Sequence, residues 1–387
     1  MTPLSYCTNV HPAEDLAGVL AQLDRYAEPV RRLVGVDVLG LGLWLSAEVA
    51  AGLAADPVSR RGLRAELDAR GLEVYTLNAF PYGGFHDDVV KHAVYRPQWT
   101  DPRRLRYTLD CATVLADLLP DSASYGSIST LPLAWRTPWD GADDDAAAAA
   151  LTELTGVLDG MARGTGRPIR LAVEPEPGCV LDSVADAVAW LAPRVDPRYV
   201  GLCLDTCHLA VSFADPARTV ADVYAAGLSV VKVQASAALQ VDEPGTEAAR
   251  LALADFTEPR YLHQVRERAG TDVFADDVLG ADDIPQALVE LPARRAWRVH
   301  FHVPLHARPA APLSATTDVL RAAIAALEST VDGPLPHVEV ETYTWSVLPE
   351  TAGNGGDTAL IRGIAAELRW AAAQLFVPKE RANHSAQ

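Results

Sequence analysis

A strand-then-helix pattern recurs about eight times along this 387-residue chain, and few folds can absorb it. Short apolar strands read at Leu4–Thr8, Val36–Leu45, Glu73–Leu77, Tyr125–Thr130, Ile169–Glu174, Val200–Asp205, Leu228–Gln234 and His337–Thr342. Between them lie segments with apolar residues at helical spacing, such as Leu16, Leu20, Leu23 and Val30 within Ala13–Val34. Ser46–Arg70 reads as one helix, with Ser46 as N-cap and Gly71 as the stop. Further helices read at Pro102–Leu119, Ala146–Arg163, Ser183–Leu191, Pro216–Ala226, Ser314–Glu328 and Asp357–Phe376. This α/β alternation builds a parallel sheet with crossover helices, and eight units favour a closed (β/α)8 TIM barrel over an open sheet. A ninth candidate strand, Trp297–Leu305, is either a barrel strand or part of an insertion at about residues 235–305, where it would form a hairpin with Arg260–Val265. No linker divides residues 1–377, which read as one barrel domain with an insertion before the last strand, and residues 378–387 read as a loose polar tail.

A formal net charge of −18 argues against nucleic acid or an anionic membrane as the main partner. A small-molecule substrate remains. Five cysteines are scattered along the chain, and Cys203-x-x-x-Cys207 lacks zinc-ribbon spacing, so reduced thiols in a cytoplasmic protein are expected. The N-terminal residues show no signal-peptide pattern, and no apolar run is long enough to span a bilayer.

The chemistry sits at the strand ends. In VGLCLDTCH (Val200–His208), period two places Gly201, Cys203 and Asp205 on one face, and His208 follows three residues after the acid. Such an acid either caps the next helix or serves a site. The same alternation puts Glu174, Lys232, Gln234, His300, His302, Glu339 and Glu341 on the faces opposite their apolar neighbours. One wet face of an antiparallel sheet would alternate the same way, but intervening helices should cover the outer face of a barrel. The polar faces then point inward and converge at the C-terminal mouth, bringing Glu174, Asp205, His302 and Glu341 together. Three carboxylates in one small volume need a counter-charge. Oxygen-rich ligation with one imidazole suits a divalent Mn, Mg, Co or Zn ion. Such an ion holds two oxygens of a hydroxy-carbonyl substrate and stabilises an enediolate, while Glu174 and Glu341 move a proton on and off carbon. His208 either binds a substrate oxygen or stacks in its loop, and a register error would exchange Glu176 or Glu339 for the preferred acids.

LAVEPEPG, CLDTCH and a strand-ending Glu341 resemble the xylose-isomerase-like TIM-barrel superfamily of sugar isomerases and ketose 3-epimerases. The resemblance implies metal ligation by Glu174, Asp205 and Glu341, acid and base roles for the two glutamates, and substrate binding by His208. One departure stands out: Gln234 in KVQAS occupies the place where the epimerases carry a metal-binding histidine. His302 from HFHVPL fills that place, or the metal site is altered or lost. More narrowly, YCTNVHPAE, LNAFPYGGFH, EPRYLHQV, HFHVPL and VEVETYTW resemble the EboE-like "metabolite traffic" family of the bacterial Ebo cluster. That implies a role in secondary metabolism, with a sugar, sugar phosphate or cyclitol as ligand and other proteins of the pathway as partners. Phosphodiester hydrolysis of the AP-endonuclease type is the competing enzyme class, and a catalytically degenerate barrel that binds and hands over a metabolite is the competing non-enzyme class. Further substrate-binding candidates lie after strands: Tyr6, Asn9, His11, Asn78, His86 and Gln234, with Lys91 and Tyr95 in an aromatic-rich loop. Trp99, Trp135 and Trp139 either line a pocket or anchor loops.

Overall fold

The computed structural model describes residues 4–268, 278–349 and 356–376. Eight parallel strands close into a barrel: β1 (Leu4–Cys7), β2 (Leu39–Trp44), β3 (Leu72–Asn78), β4 (Gly126–Thr130), β5 (Ile169–Val173), β6 (Val200–Asp205), β7 (Val230–Ala235) and, far along the chain, β13 (His337–Val340). β13 pairs with β1 on one side and β7 on the other, which completes the ring. The expected α/β barrel is therefore the observed one. Apolar residues facing outward, such as Leu41, Leu43, Leu171, Val173 and Val233, pack under the surrounding helices in one continuous core.

The expected helix over Ser46–Arg70 is two helices, Ala47–Ala55 and Pro57–Ala69. Pro57 lacks an N–H, and Asp56 before it adopts an extended conformation that lets its carboxylate cap the second helix through Val58 N at 2.9 Å. The expected tail, residues 378–387, lies outside the described residues.

Between β7 and the helix Thr317–Thr330, the chain forms a second sheet from β8 (Leu239–Val241), β9 (Val265–Arg268), β10 (Val278–Ala281), β11 (Trp297–Val299) and β12 (Leu313–Ala315). Its order is β10-β9-β11-β8-β12. The ninth candidate strand belongs here, and only Trp297–Val299 of it is strand. It pairs antiparallel with β9 and β8 rather than in a hairpin with Arg260–Val265, because β10 and the helix Ile284–Glu290 intervene. Trp297, Phe301 and Ile284 give this sheet its own apolar core. The sheet departs from the C-terminal end of β7, so the residues that follow β11 return over the barrel mouth.

The barrel interior is polar in layers. At the bottom, the rings of Tyr125 and His337 stack at 4.1 Å. Above them, Lys232 on β7 pairs with Glu339 on β13 and donates to Ser129 Oγ at 3.1 Å. Both partners are fully buried. Room for Glu339 comes from Gly42 on β2, where any Cβ would collide with the carboxylate.

Candidate metal and substrate site

Above that pair, three acids leave the barrel at its mouth. Glu174 follows β5, Asp205 ends β6 and Glu341 follows β13, and one oxygen from each lies within 4.8 Å of the others. All three are buried. Asp205 serves two purposes. Its Oδ1 caps the short helix Thr206–Val211 through His208 N at 2.9 Å and accepts from Ser236 Oγ at 2.8 Å. Its Oδ2 is buried with no hydrogen bond and lies 3.9 Å from His302 Nε2.

His302 is not at a barrel strand end, as the alternation in HFHVPL suggested. It lies in the irregular segment after β11 and reaches the mouth from the inserted sheet. Its Nδ1 is 2.8 Å from the backbone oxygen of Glu341, a pure acceptor, so the proton sits on Nδ1 and the Nε2 lone pair points at the acids. That imidazole thus arrives beside Asp205, the register partner of Gln234, whose side chain is fully buried on β7 with both polar atoms unpartnered.

The electrostatics follow from burial. Glu174 is pushed well above the usual carboxylate range by burial first, then by Glu341 and Asp205. Glu341 is raised to about 8 by burial, with Asp205 and Glu339 adding to it. Two amides hold Glu341: Asn9 Nδ2 donates to Oε1 at 2.8 Å and Asn78 Nδ2 donates to the same oxygen at 2.9 Å. Burial lowers His302 to about 4, against the pull of Asp205.

A divalent cation fits this donor set. Glu174 Oε2, Asp205 Oδ2 and His302 Nε2 are all buried and lack a hydrogen-bond partner. Orphaned buried polar atoms are costly in a protein interior, and here they cluster with the right ligand chemistry.

A second group adjoins the first. Glu176 Oε1 accepts from the Tyr95 hydroxyl at 2.7 Å, and His208 and His300 meet with their Nε2 atoms 3.0 Å apart. Burial raises Glu176 and drives His300 well below its usual range.

Both groups, Asp205 apart, line one cavity of about 60 Å³, which also touches Asn9 and Asn78. Its roof is aromatic. Phe85 from the loop after β3 meets Tyr261 at 5.3 Å and Tyr343 at 5.5 Å. The roof is tied down by Val90 N and Lys91 N, both donating to Arg260 O at 2.8 Å. Among the described residues lining the cavity, Lys91 is the one lysine or arginine, and it is paired with Asp283 at 2.6 Å.

Several sequence candidates lie elsewhere. Tyr6 points outward from β1 into the helical shell, where its hydroxyl meets His11 Nε2 at 3.2 Å. His11 stacks on Tyr26 at 4.2 Å. His86 Nε2 bonds to Asn9 O at 2.7 Å and so braces the loop carrying Asn9. These three side chains do not line the cavity. Trp99 and Trp139 anchor loops through Thr130 Oγ1 at 3.2 Å and Asp144 Oδ1 at 2.9 Å. Sequence reasoning passed over Tyr261, Gln264 and Tyr343. The stretch EPRYLHQV, dense in ring and amide side chains, carried the signal for the first two.

No family model matches the chain, and no curated protein matches it. Solved structures do. A D-psicose 3-epimerase from Clostridium cellulolyticum H10 with D-tagatose aligns at a TM-score of 0.52 and 14% identity, over 97% of this chain and 100% of that one. The IolI protein with a bound zinc atom aligns at 0.51 and 12% identity, over 97% and 99%. A D-psicose 3-epimerase in the presence of D-fructose aligns at 0.51 and 13% identity, over 97% and 99%. At these identities the likeness establishes the fold, a closed (β/α)8 barrel.

Proposed function

We propose that this chain is a divalent-metal-dependent isomerase or epimerase acting on a neutral sugar or cyclitol. The observation that carries the reading is the convergence of Glu174, Asp205 and Glu341 at the barrel mouth, with buried oxygens of Glu174 and Asp205 unpartnered and the unpartnered His302 Nε2 3.9 Å from Asp205 Oδ2. The ligands would be Glu174, Asp205, Glu341 and His302, the last replacing the imidazole that Gln234 does not provide. When bound, the cation supplies the positive charge that polarises a substrate carbonyl and offsets charge developing on its oxygen. Proton movement falls to Glu174 and Glu341. They stand beside strands separated by β6 and β7, so they flank whatever occupies the mouth. Their raised proton affinities suit exchange near neutral pH. Asn9 and Asn78 fix the Glu341 carboxylate, and the aromatic roof excludes water.

The relatives in fold are epimerases solved with tagatose or fructose, which supports a ketose or a similarly shaped polyol as ligand. Lys91 is neutralised by Asp283, which favours an unphosphorylated substrate over a sugar phosphate. The resemblance of stretches between Tyr6 and Trp345 to EboE-like proteins would imply a place in secondary metabolism.

The test is solvent-proton exchange into ketoses and cyclitols by metal-loaded protein. Glu174→Gln and Glu341→Gln should each reduce exchange by about 10²-fold or more. Unchanged exchange in both would remove the acid/base assignment. Ligand binding without any exchange in the wild type would favour a barrel that binds and hands over its metabolite.

A further inference from the structure

His208 and His300 face each other in a way that two neutral imidazoles do not tolerate. Their Nε2 atoms are 3.0 Å apart. The other nitrogen of each ring is already committed. His208 Nδ1 lies 2.9 Å from the carbonyl oxygen of Pro175, which only accepts, so that nitrogen carries the proton. His300 Nδ1 lies 2.6 Å from Gln264 Oε1. The orientation of that amide is set at its far end, where Gln264 Nε2 donates to the Tyr95 hydroxyl at 3.2 Å and approaches Glu176 Oε1 at 3.4 Å. The Tyr95 hydroxyl gives its own proton to Glu176, so it is an acceptor toward Gln264. His300 therefore also carries its proton on Nδ1. Two unprotonated Nε2 atoms are left 3.0 Å apart between rings set edge to face, with the Tyr343 hydroxyl 3.5 Å from His300 Nε2 at the limit of hydrogen-bond reach.

We propose that His208 Nε2, His300 Nε2 and a carboxylate oxygen of Glu176 hold a second divalent cation, separate from the one at Glu174, Asp205, His302 and Glu341. Ligand atoms of these three residues lie within 4.8 Å of one another, and all three are buried and line the cavity. A nitrogen separation of 3.0 Å is what two neighbouring ligands adopt at a right angle when each metal–nitrogen bond is about 2.1 Å. The hydrogen bonds from Nδ1 to Pro175 and Gln264 are the outer partners that metal-bound imidazoles keep. Two imidazoles and one carboxylate favour zinc or cobalt over magnesium. The first site, richer in carboxylate, accepts harder ions. The second site depends on the inserted sheet, because His300 follows β11. The inference stands on this geometry alone and does not require the isomerase reading.

The experiment is titration of the metal-depleted full-length chain with Co²⁺, followed by visible absorption and by elemental analysis after gel filtration. Wild type should bind two equivalents. His300→Ala and His300→Gln should bind one, with circular dichroism confirming that each is folded. Saturation of wild type at one equivalent, still bound by the His300 variants, overturns the second site and leaves the first standing. One equivalent together with an imidazolium signal from this pair in ¹⁵N spectra overturns it in favour of a shared proton. Absence of binding overturns both sites. If the variants do not fold, the wild-type stoichiometry decides alone.

Discussion

Glu339 and Glu341 are two residues apart at the end of one strand, face the same side, and meet opposite surroundings. Glu339 lies in the barrel interior against Lys232, fully buried. Burial alone would lower the lysine, but Glu339, with Cys203 and Cys7 adding to it, holds Lys232 above its usual range. Glu341 lies one layer higher among Glu174 and Asp205, with two amides and no lysine in contact. The chain supplies its own counter-ion below and leaves it out above. The lower pair is therefore a matter of folding, and the upper cluster has a charge requirement that something other than the chain must meet.

The comparison breaks most decisively at the lysine. Lys232→Met leaves Glu339 buried without a partner and should destabilise the protein by about 3–5 kcal/mol in chemical denaturation. A loss under 1 kcal/mol would show that the two layers are not electrostatically different. Next in size, Gly42→Ala should cost about 1–3 kcal/mol, because the new methyl displaces Glu339 from Lys232. Unchanged stability there would mean that Glu339 has space to move. Glu341→Gln should have the opposite sign. In metal-free protein near neutral pH it removes the cost of keeping this buried carboxyl protonated among its acidic neighbours, and should stabilise by on the order of 1–2 kcal/mol, read from the same denaturation curves.

The smallest effect is the dependence on pH. Glu341 in the folded chain is raised to about 8, above its unfolded value, so the folded state holds the extra proton. The contribution of this group to the stability of metal-free protein should then fall as pH rises from about 4.5 to about 8, by up to about 1.4 kcal/mol per pH unit for each such proton. Glu174 is raised in the same direction. His302, lowered to about 4, acts oppositely between about 4 and 6.5 and offsets the Glu341 slope there, so the net fall shows from about 6.5 to 8. Thermal melts across this range measure the slope, and saturating Mn²⁺ or Co²⁺ should abolish it. A slope that survives metal would place the responsible proton elsewhere.

The barrel was legible because its signal is local and repeated: each apolar face and each intervening helix can be read within a dozen residues. The acids at the mouth were legible for the same reason, since period two sorts Glu174, Asp205 and Glu341 from their outward neighbours. His302 was half legible. Alternation marked its face, but its path to the mouth depends on antiparallel pairing of β11 with β8 and β9, whose partners lie more than thirty residues away in sequence. Tyr6 illustrates the reverse error. A position near a strand end suggested the mouth, whereas its alternation with Ser5 and Cys7 already assigned it to the outer face. Tyr343 had no local signature, and EPRYLHQV marked Tyr261 without placing it, because the roof exists only where three distant loops meet.

That roof has a kinetic consequence. A cavity of about 60 Å³ has room for a few waters and none for a hexose. On the proposed function, Phe85, Tyr261 and the two hydrogen bonds to Arg260 would part before a hexose enters and again before it leaves. Where such parting is slower than proton transfer, turnover reports on the loops. Deuterium at the reacting carbon would then slow the steady state very little while slowing a single enclosed turnover fully, and solvent viscosity would govern what carbon–hydrogen bond strength does not.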